Sequence, residues 1–316
     1  MGRATEELAA RAGSTIGGLL NATFGNAAEL IIAIVALLAG KIEVVKASIT
    51  GSIFSNLLLV LGLSIFLGGL RFNTQRFNQQ AGNIMASLLL LAMVALMLPA
   101  LFDIAERTYF KVDPTLPDLA FSHAAAIVLI LVYLANIWFS LRTHKDMLSG
   151  MDDAHPEDHQ ASWSIPLSIG VLAAATVGVA VMAEFLVGSL EEATHVLGLS
   201  EFFVGIILIP LVGNAAEHFA AVVFAMKNKV DLAVQIAIGS ALQIALLVAP
   251  LLVIVGWIAG KPLDLVFRNP LELGALVASI LATNAVVKDG ETNWLEGFLL
   301  LGVYLLLALA FFFTPR

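Results

Sequence analysis

Nine apolar stretches of spanning length divide this chain, at roughly 14–40, 44–70, 83–102, 119–141, 164–190, 202–226, 230–258, 271–287 and 294–313. About 20 residues of helix cross a bilayer core, and inside lipid every backbone N–H and C=O must be paired within the protein. The runs are too long and too continuous for barrel strands. The sequence therefore predicts an all-α integral membrane protein of about nine transmembrane helices. Charged residues make up only 13% of the chain, against about 25% in soluble domains, which agrees. Met1 to Gly13 is polar and has no apolar centre, so it does not read as a signal peptide.

Inside two of these runs a pentapeptide recurs: Gly25-Asn26-Ala27-Ala28-Glu29 and Gly213-Asn214-Ala215-Ala216-Glu217. A carboxylate at such depth costs about 3 kcal/mol on insertion scales, so its default reading is functional. Adding 188 to a position also carries Lys41 onto Lys229, Glu43 onto Asp231, Gly51 onto Gly239 and Ser52 onto Ser240, without a gap. Five crossings separate the starts of the two motif helices. Five is odd, so the copies enter from opposite faces, which is the inverted-repeat plan of many secondary transporters. The expected architecture is an inverted-repeat bundle of four plus five helices. Residues 1–142 form the first repeat, 143–163 an acidic linker and 164–316 the second repeat. A spanning run, 164–190 with Glu184, precedes the second motif helix, and only Met1 to Gly13 precedes the first. The first repeat is thus expected to lack its first helix.

Depth follows from counting. Eleven residues lead from each Glu to a turn, at Gly40-Lys41 and at Asn228-Lys229, and eleven lead back to Gly51 or Gly239. At 1.5 Å per residue that is about 16 Å each way, half of a bilayer core of about 30 Å. Both Glu residues and both Gly-Ser pairs are expected at the midplane. Gly25 and Gly213 permit bending and close approach, and Pro210 removes a helix hydrogen bond. Two carboxylates with amide, carbonyl and water oxygens suit Ca²⁺, which takes 6–8 oxygens. They suit Zn²⁺ or Cu²⁺ less, because the chain has no cysteine and only His218 lies adjacent. Facing carboxylates also repel one another, so an empty site takes up protons and a divalent ion expels them.

Each residue also has a plainer reading. Asn26 and Asn214 would bond helix to helix; Ser52 and Ser240 would allow close packing; Gln243 and Asn56, one turn further on, would either line the path or be ordinary buried polar groups. His218, whose repeat counterpart is Leu30, and Glu184, which has none, are either packing residues or proton-handling groups. The linker holds Asp146, Asp152, Asp153, Glu157 and Asp158, and reads as a solvated loop or as a cation-collecting mouth. Lys and Arg number nine on the linker side and seven on the other, a weak bias that places the linker in the cytoplasm. No basic patch suggests nucleic acid.

The stretches GGLLNATFGNAAEL at 17–30, KASITGSIFSNLLLVLG at 46–62, IPLVGNAAEHFAAVVFA at 209–225, IAIGSALQIALLVAPLLV at 236–253 and DGETNWLEG at 289–297 resemble the cation/proton exchanger (CAX) family of the calcium/cation antiporter superfamily. The resemblance covers nearly the whole chain. It implies a multi-pass membrane protein, in the cell membrane if the source is prokaryotic, that exchanges cytosolic Ca²⁺ for H⁺. Glu29 and Glu217 would bind both ions, with Asn26, Asn214, Ser52, Ser240, Gln243 and the backbone at Gly25 and Gly213 lining the site. Ca²⁺ and H⁺ are then substrates, no cofactor is implied, and a homo-oligomer is left open. The family has ten core helices, so the first is again expected to be missing. Sodium/calcium exchangers carry Thr/Ser and Pro around the Glu, unlike the Asn-Ala-Ala here. Antiport of Mn²⁺, sodium-driven exchange and a cation channel remain as alternatives. An intramembrane enzyme would use one asymmetric site, and the doubled motif argues against it.

Overall fold

The computed structural model describes residues 1–5, 7–9, 11, 24–111, 113, 115–143 and 162–314. Within them the chain is helical apart from loops and one short ribbon. The helices are α1 (Ala27–Leu38), α2 (Ile42–Arg71), α3 (Gln79–Phe110), α4 (Thr115–Trp138), α5 (Ile165–Gly188), α6 (Leu190–Leu197), α7 (Glu201–Gly213), α8 (Ala215–Met226), α9 (Val230–Ile258), α10 (Pro270–Val287) and α11 (Trp294–Phe312). Seven of these are long and apolar enough to cross a bilayer, and α6 with α7 forms a further pair bent by 111°. The expected run at 202–226 is thus not one helix: it breaks at Asn214 into α7 and α8. Most of the linker, and much of the first expected run, lie outside the described residues.

The repeat is visible in the backbone. α1 and α8 begin and end at positions 188 apart, and so do the starts of α2 and α9. Between them the chain reverses through Gly40 (φ +80°) and Asn228 (φ +61°), the left-handed conformation that Gly and Asn adopt most readily. The turns close alike. Lys41 N–H donates to the Ala36 carbonyl at 2.9 Å, and Lys229 N–H donates to the Phe224 carbonyl at 3.0 Å. A wide π-helical turn interrupts both long helices, at Ser55–Val60 in α2 and at Ile244–Val248 in α9. Such turns are rare and often mark functional positions.

α2 and α9 form the centre. Buried residues fill 72% and 67% of their most apolar windows, against 6% for α5 and 17% for α11. The peripheral helices turn Val177, Met182, Phe185, Leu305 and Leu306 outward, as lipid-facing helices do. The motif helices cross over: α8, from the second half, packs on the end of α2, while α1 packs on the end of α9. Two small residues at equivalent positions permit this. Gly68 lies against the Ala225 carbonyl and Gly256 against Leu37. α5 covers one side of α1. On the matching side of the second motif Val212, Ala215, Ala216 and Phe219 are exposed.

Each turn is held by a strap. The loop after α9 buries Leu263, Leu265, Val266 and Phe267. The loop after α2 forms a ribbon of β1 (Gln75–Arg76) paired antiparallel with β2 (Glu291–Thr292). From it the Gln75 amide donates to the Ala225 carbonyl at 2.8 Å, and Asn78 N–H donates to Asp231 at 2.7 Å.

Candidate ion-exchange site

Both motif helices start at their asparagine. Asn26 (φ −95°, ψ 23°) and Asn214 (φ −96°, ψ 7°) fall outside helical geometry, and α1 and α8 follow directly. Gly25 lies in the turn before one break, and Gly213 ends the helix before the other. An asparagine in this place usually caps its own helix. Neither does so here, and both side chains reach instead into the opposite half. The Ser240 hydroxyl donates to Asn26 Oδ1 at 2.9 Å, and Asn214 Nδ2 donates to Ser52 Oγ at 3.3 Å. Each motif is therefore tied to the Gly-Ser pair of the other repeat.

Glu29 and Glu217 fall in the first turns of α1 and α8, at the positive end of each helix dipole. The first motif meets the second here, since Glu29 packs against Gly213, four residues before Glu217. Glu29 is 8% exposed, and its Cγ lies 3.6 Å from where a side chain at Gly213 would begin. Ser240 lies beside Glu217. Glu29 Oε1, Glu217 Oε2, Asn214 Oδ1 and Asn56 Oδ1 are all buried without a hydrogen-bond partner among the described residues. Buried oxygens normally have partners, so this concentration of bare ones is what a dehydrated cation needs.

The other expected residues divide. Gln243 accepts a hydrogen bond from Asn26 Nδ2 and so belongs to the cluster. His218 is buried in α8, one residue on from Glu217, and its Nε2 has no partner among the described residues. Glu184 is not brought to the carboxylate pair. It is exposed on α5 and lines a lateral cavity with Lys41 and Glu191 at the far end of α1. The backbone at Pro210 is occupied as well: its own carbonyl accepts from Asn214 at 3.0 Å. The preceding carbonyl of Ile206 lies against Gly51 so closely that a Cβ would not fit.

Asn56 goes with Gln243, and one buried ion pair escapes a reading of the motifs. Asn56 donates to Ser240 Oγ at 3.0 Å and joins the same network. The available signal was the end of the repeat, where Ser55-Asn56 faces Gln243-Ile244. Lys46, one of the seven cations on the side away from the linker, is not in a loop: it is buried within α2, 2.6 Å from Asp264 and beside Glu272. Its place four residues into a helix gives little hint of that.

The sequence matches the model of the sodium/calcium exchanger protein family over residues 1–142 and 167–313. The chain belongs to that family. A Ca²⁺/H⁺ antiporter of Aphanothece halophytica is 50% identical over all of this chain and 86% of its own length. The Ca²⁺/H⁺ antiporter ChaA of Bacillus subtilis (strain 168) is 44% identical over 99% of this chain and 87% of its own. The structure of native YfkE superposes with a TM-score of 0.82 at 42% identity, covering 99% of this chain and 88% of the other. The exchanger family is one of multi-pass membrane transporters, which agrees with the apolar helices described above.

Proposed function

We propose that the chain is a secondary antiporter that exchanges Ca²⁺ for H⁺. One observation carries this reading: Glu29 of the first motif is buried against Gly213 of the second, and Glu29, Glu217 and Asn214 each keep a buried oxygen without a partner among the described residues. Relatives at 44–50% identity that are named Ca²⁺/H⁺ antiporters support the choice of ions. Ca²⁺ binds when both carboxylates are ionised, since a hard cation offsets their repulsion and takes up the bare oxygens. Once the ion leaves, like charges in a poorly solvated place favour protonation. The same oxygens thus hold either cargo, and one flux drives the other. The glutamates sit at the bilayer midplane, reached alternately from each face, with the 143–163 linker in the cytoplasm.

The test is uptake by the reconstituted protein under an imposed pH gradient in Na⁺-free buffer, with Mn²⁺ as competitor. Ca²⁺ movement that follows the pH gradient supports the reading. Movement that ignores it and follows Na⁺ would indicate sodium-driven exchange. Movement with no coupled ion would indicate a channel. In the same assay Glu29→Gln and Glu217→Gln are each expected to lower exchange by at least about tenfold, the loss of a charge-assisted contact.

A further inference from the structure

The two motifs are identical in sequence, yet their asparagines are held differently. Asn26 uses both ends of its amide: Oδ1 accepts from Ser240, and Nδ2 donates to Gln243 Oε1. Asn56 backs this arrangement by donating to the same Ser240 hydroxyl. Asn214 is held by its nitrogen alone, which donates to Ser52 and to the Pro210 carbonyl. Its Oδ1 is buried and bare among the described residues, like Glu29 Oε1 and Glu217 Oε2. The cause lies one turn downstream of the Gly-Ser pairs. Gln243 reaches Asn26 from the second half, whereas the position 188 earlier is Ser55, whose short side chain offers no such arm.

We propose that the two asparagines have different roles. Asn214 gives its Oδ1 to the divalent cation. Asn26 is a positioning residue, held by Ser240 and Gln243, that fixes the start of α1 and with it Glu29. A buried amide oxygen without a donor is costly, and a cation removes that cost. At Asn26 the Ser240 hydroxyl already occupies one of the two lone pairs of Oδ1, and the Gln243 bond fixes the amide plane, so that oxygen gains less from a cation than the bare one of Asn214. This assignment rests on the Ca²⁺/H⁺ exchange reading.

The experiment uses the full chain, purified and reconstituted, with uptake of Ca²⁺ and of Mn²⁺ under an imposed pH gradient and equilibrium binding of each ion. Asn214→Ala is expected to weaken Ca²⁺ binding by about 10- to 100-fold. It should also move the Ca²⁺/Mn²⁺ preference toward Mn²⁺, because Ca²⁺ takes more oxygens than a six-coordinate ion. Asn26→Ala and Gln243→Ala should each slow uptake by about tenfold, with the preference unchanged. The double variant should be no slower than Asn26→Ala alone, since both changes break one arrangement. Equal shifts of preference at both asparagines, or a shift at Asn26 alone, would overturn the assignment. Should Asn214→Ala fail to fold, Asn214→Asp keeps an oxygen there but loses the donor to the Pro210 carbonyl, and is expected to hold the wild-type preference for Ca²⁺ over Mn²⁺; a preference moved toward Mn²⁺ there also overturns the assignment. A wild-type chain without pH-driven Ca²⁺ uptake would instead defeat the exchange reading itself.

Discussion

Ser240 donates its hydroxyl to Asn26 at 2.9 Å, so a residue of α9 in the second half holds the break before α1 in the first. The repeat-related pair, Asn214 and Ser52, is joined in the opposite direction at 3.3 Å. The halves are tied together at the site rather than only around it. A shift of one half against the other must therefore rearrange the groups that would bind the ion.

Ser240→Ala removes the donor to Asn26 and leaves a buried oxygen unpaired, which costs about 1–3 kcal/mol. Ser52→Ala should cost less, because Asn214 keeps its bond to the Pro210 carbonyl. Thermal unfolding of the two variants in detergent should show the larger drop for Ser240→Ala. The reverse order would mean that the network does not hold the site in the way described.

Gly51 and Gly239 occupy equivalent positions in the repeat but tolerate different things. A Cβ at Gly51 would collide with the Ile206 carbonyl and the Pro210 ring, whereas at Gly239 the nearest atom is the Met85 methyl at 3.7 Å. Overpacking of a filled interior costs about 1–3 kcal/mol. Gly51→Ala should lower the melting temperature and the yield of folded protein, and Gly239→Ala should leave both near wild type.

Lys46 and Asp264 form an ion pair whose side chains are 5% and 17% exposed. Removing one partner of a buried pair costs about 3–5 kcal/mol. Here Arg268 also lies 3.5 Å from Asp264, so Lys46→Met should fall at or below the lower end of that range. Lys46→Met combined with Asp264→Asn should recover part of the loss, as read by thermal unfolding. A double variant worse than the single would show that the pair is not the source.

At the turn between α1 and α2, Lys41 bonds both Glu191 and Glu201. The bond from Lys41 holds the Glu191 carboxyl below its usual range. The bond to Glu191, then that to Glu201, raises the Lys41 ammonium above its own. A depressed carboxyl stabilises fully above its unfolded value, near 4.5, and loses that as pH falls through the folded one. A raised ammonium stabilises fully below its unfolded value, near 10.5, and loses that as pH rises through the folded one. The melting difference between wild type and Lys41→Met should thus stay level from about pH 5 to about pH 10 and shrink outside that window. Added salt should reduce it throughout, since both carboxylates are exposed.

Much of this was legible beforehand. Charge-free runs of about 20 residues specify helices across lipid, because no other open backbone can pair its polar groups there. A motif recurring at a spacing of 188 residues specified two related halves, and counting to Gly40 and Asn228 located both turns. What periodicity could not show was that a single apolar run, 202–226, is broken in the middle. Hydropathy measures what a segment buries, not whether its axis is straight. Nor could it show that Lys46 is buried, since its partner Asp264 arrives from a loop 218 residues away.

The amino-acid order alone determined the membrane helices, the doubled motif and the two glutamates, because those depend on local composition and on repetition along the chain. Only the tertiary structure decided which residue answers which. Asn26 and Asn214 have the same neighbours in sequence, and the difference between them comes from Gln243, Ser240 and Asn56, brought in from helices far along the chain. Hydrogen-bond partners are set by distances of about 3 Å in the folded protein. Repetition in sequence cannot encode an asymmetry that arises only where the two copies meet.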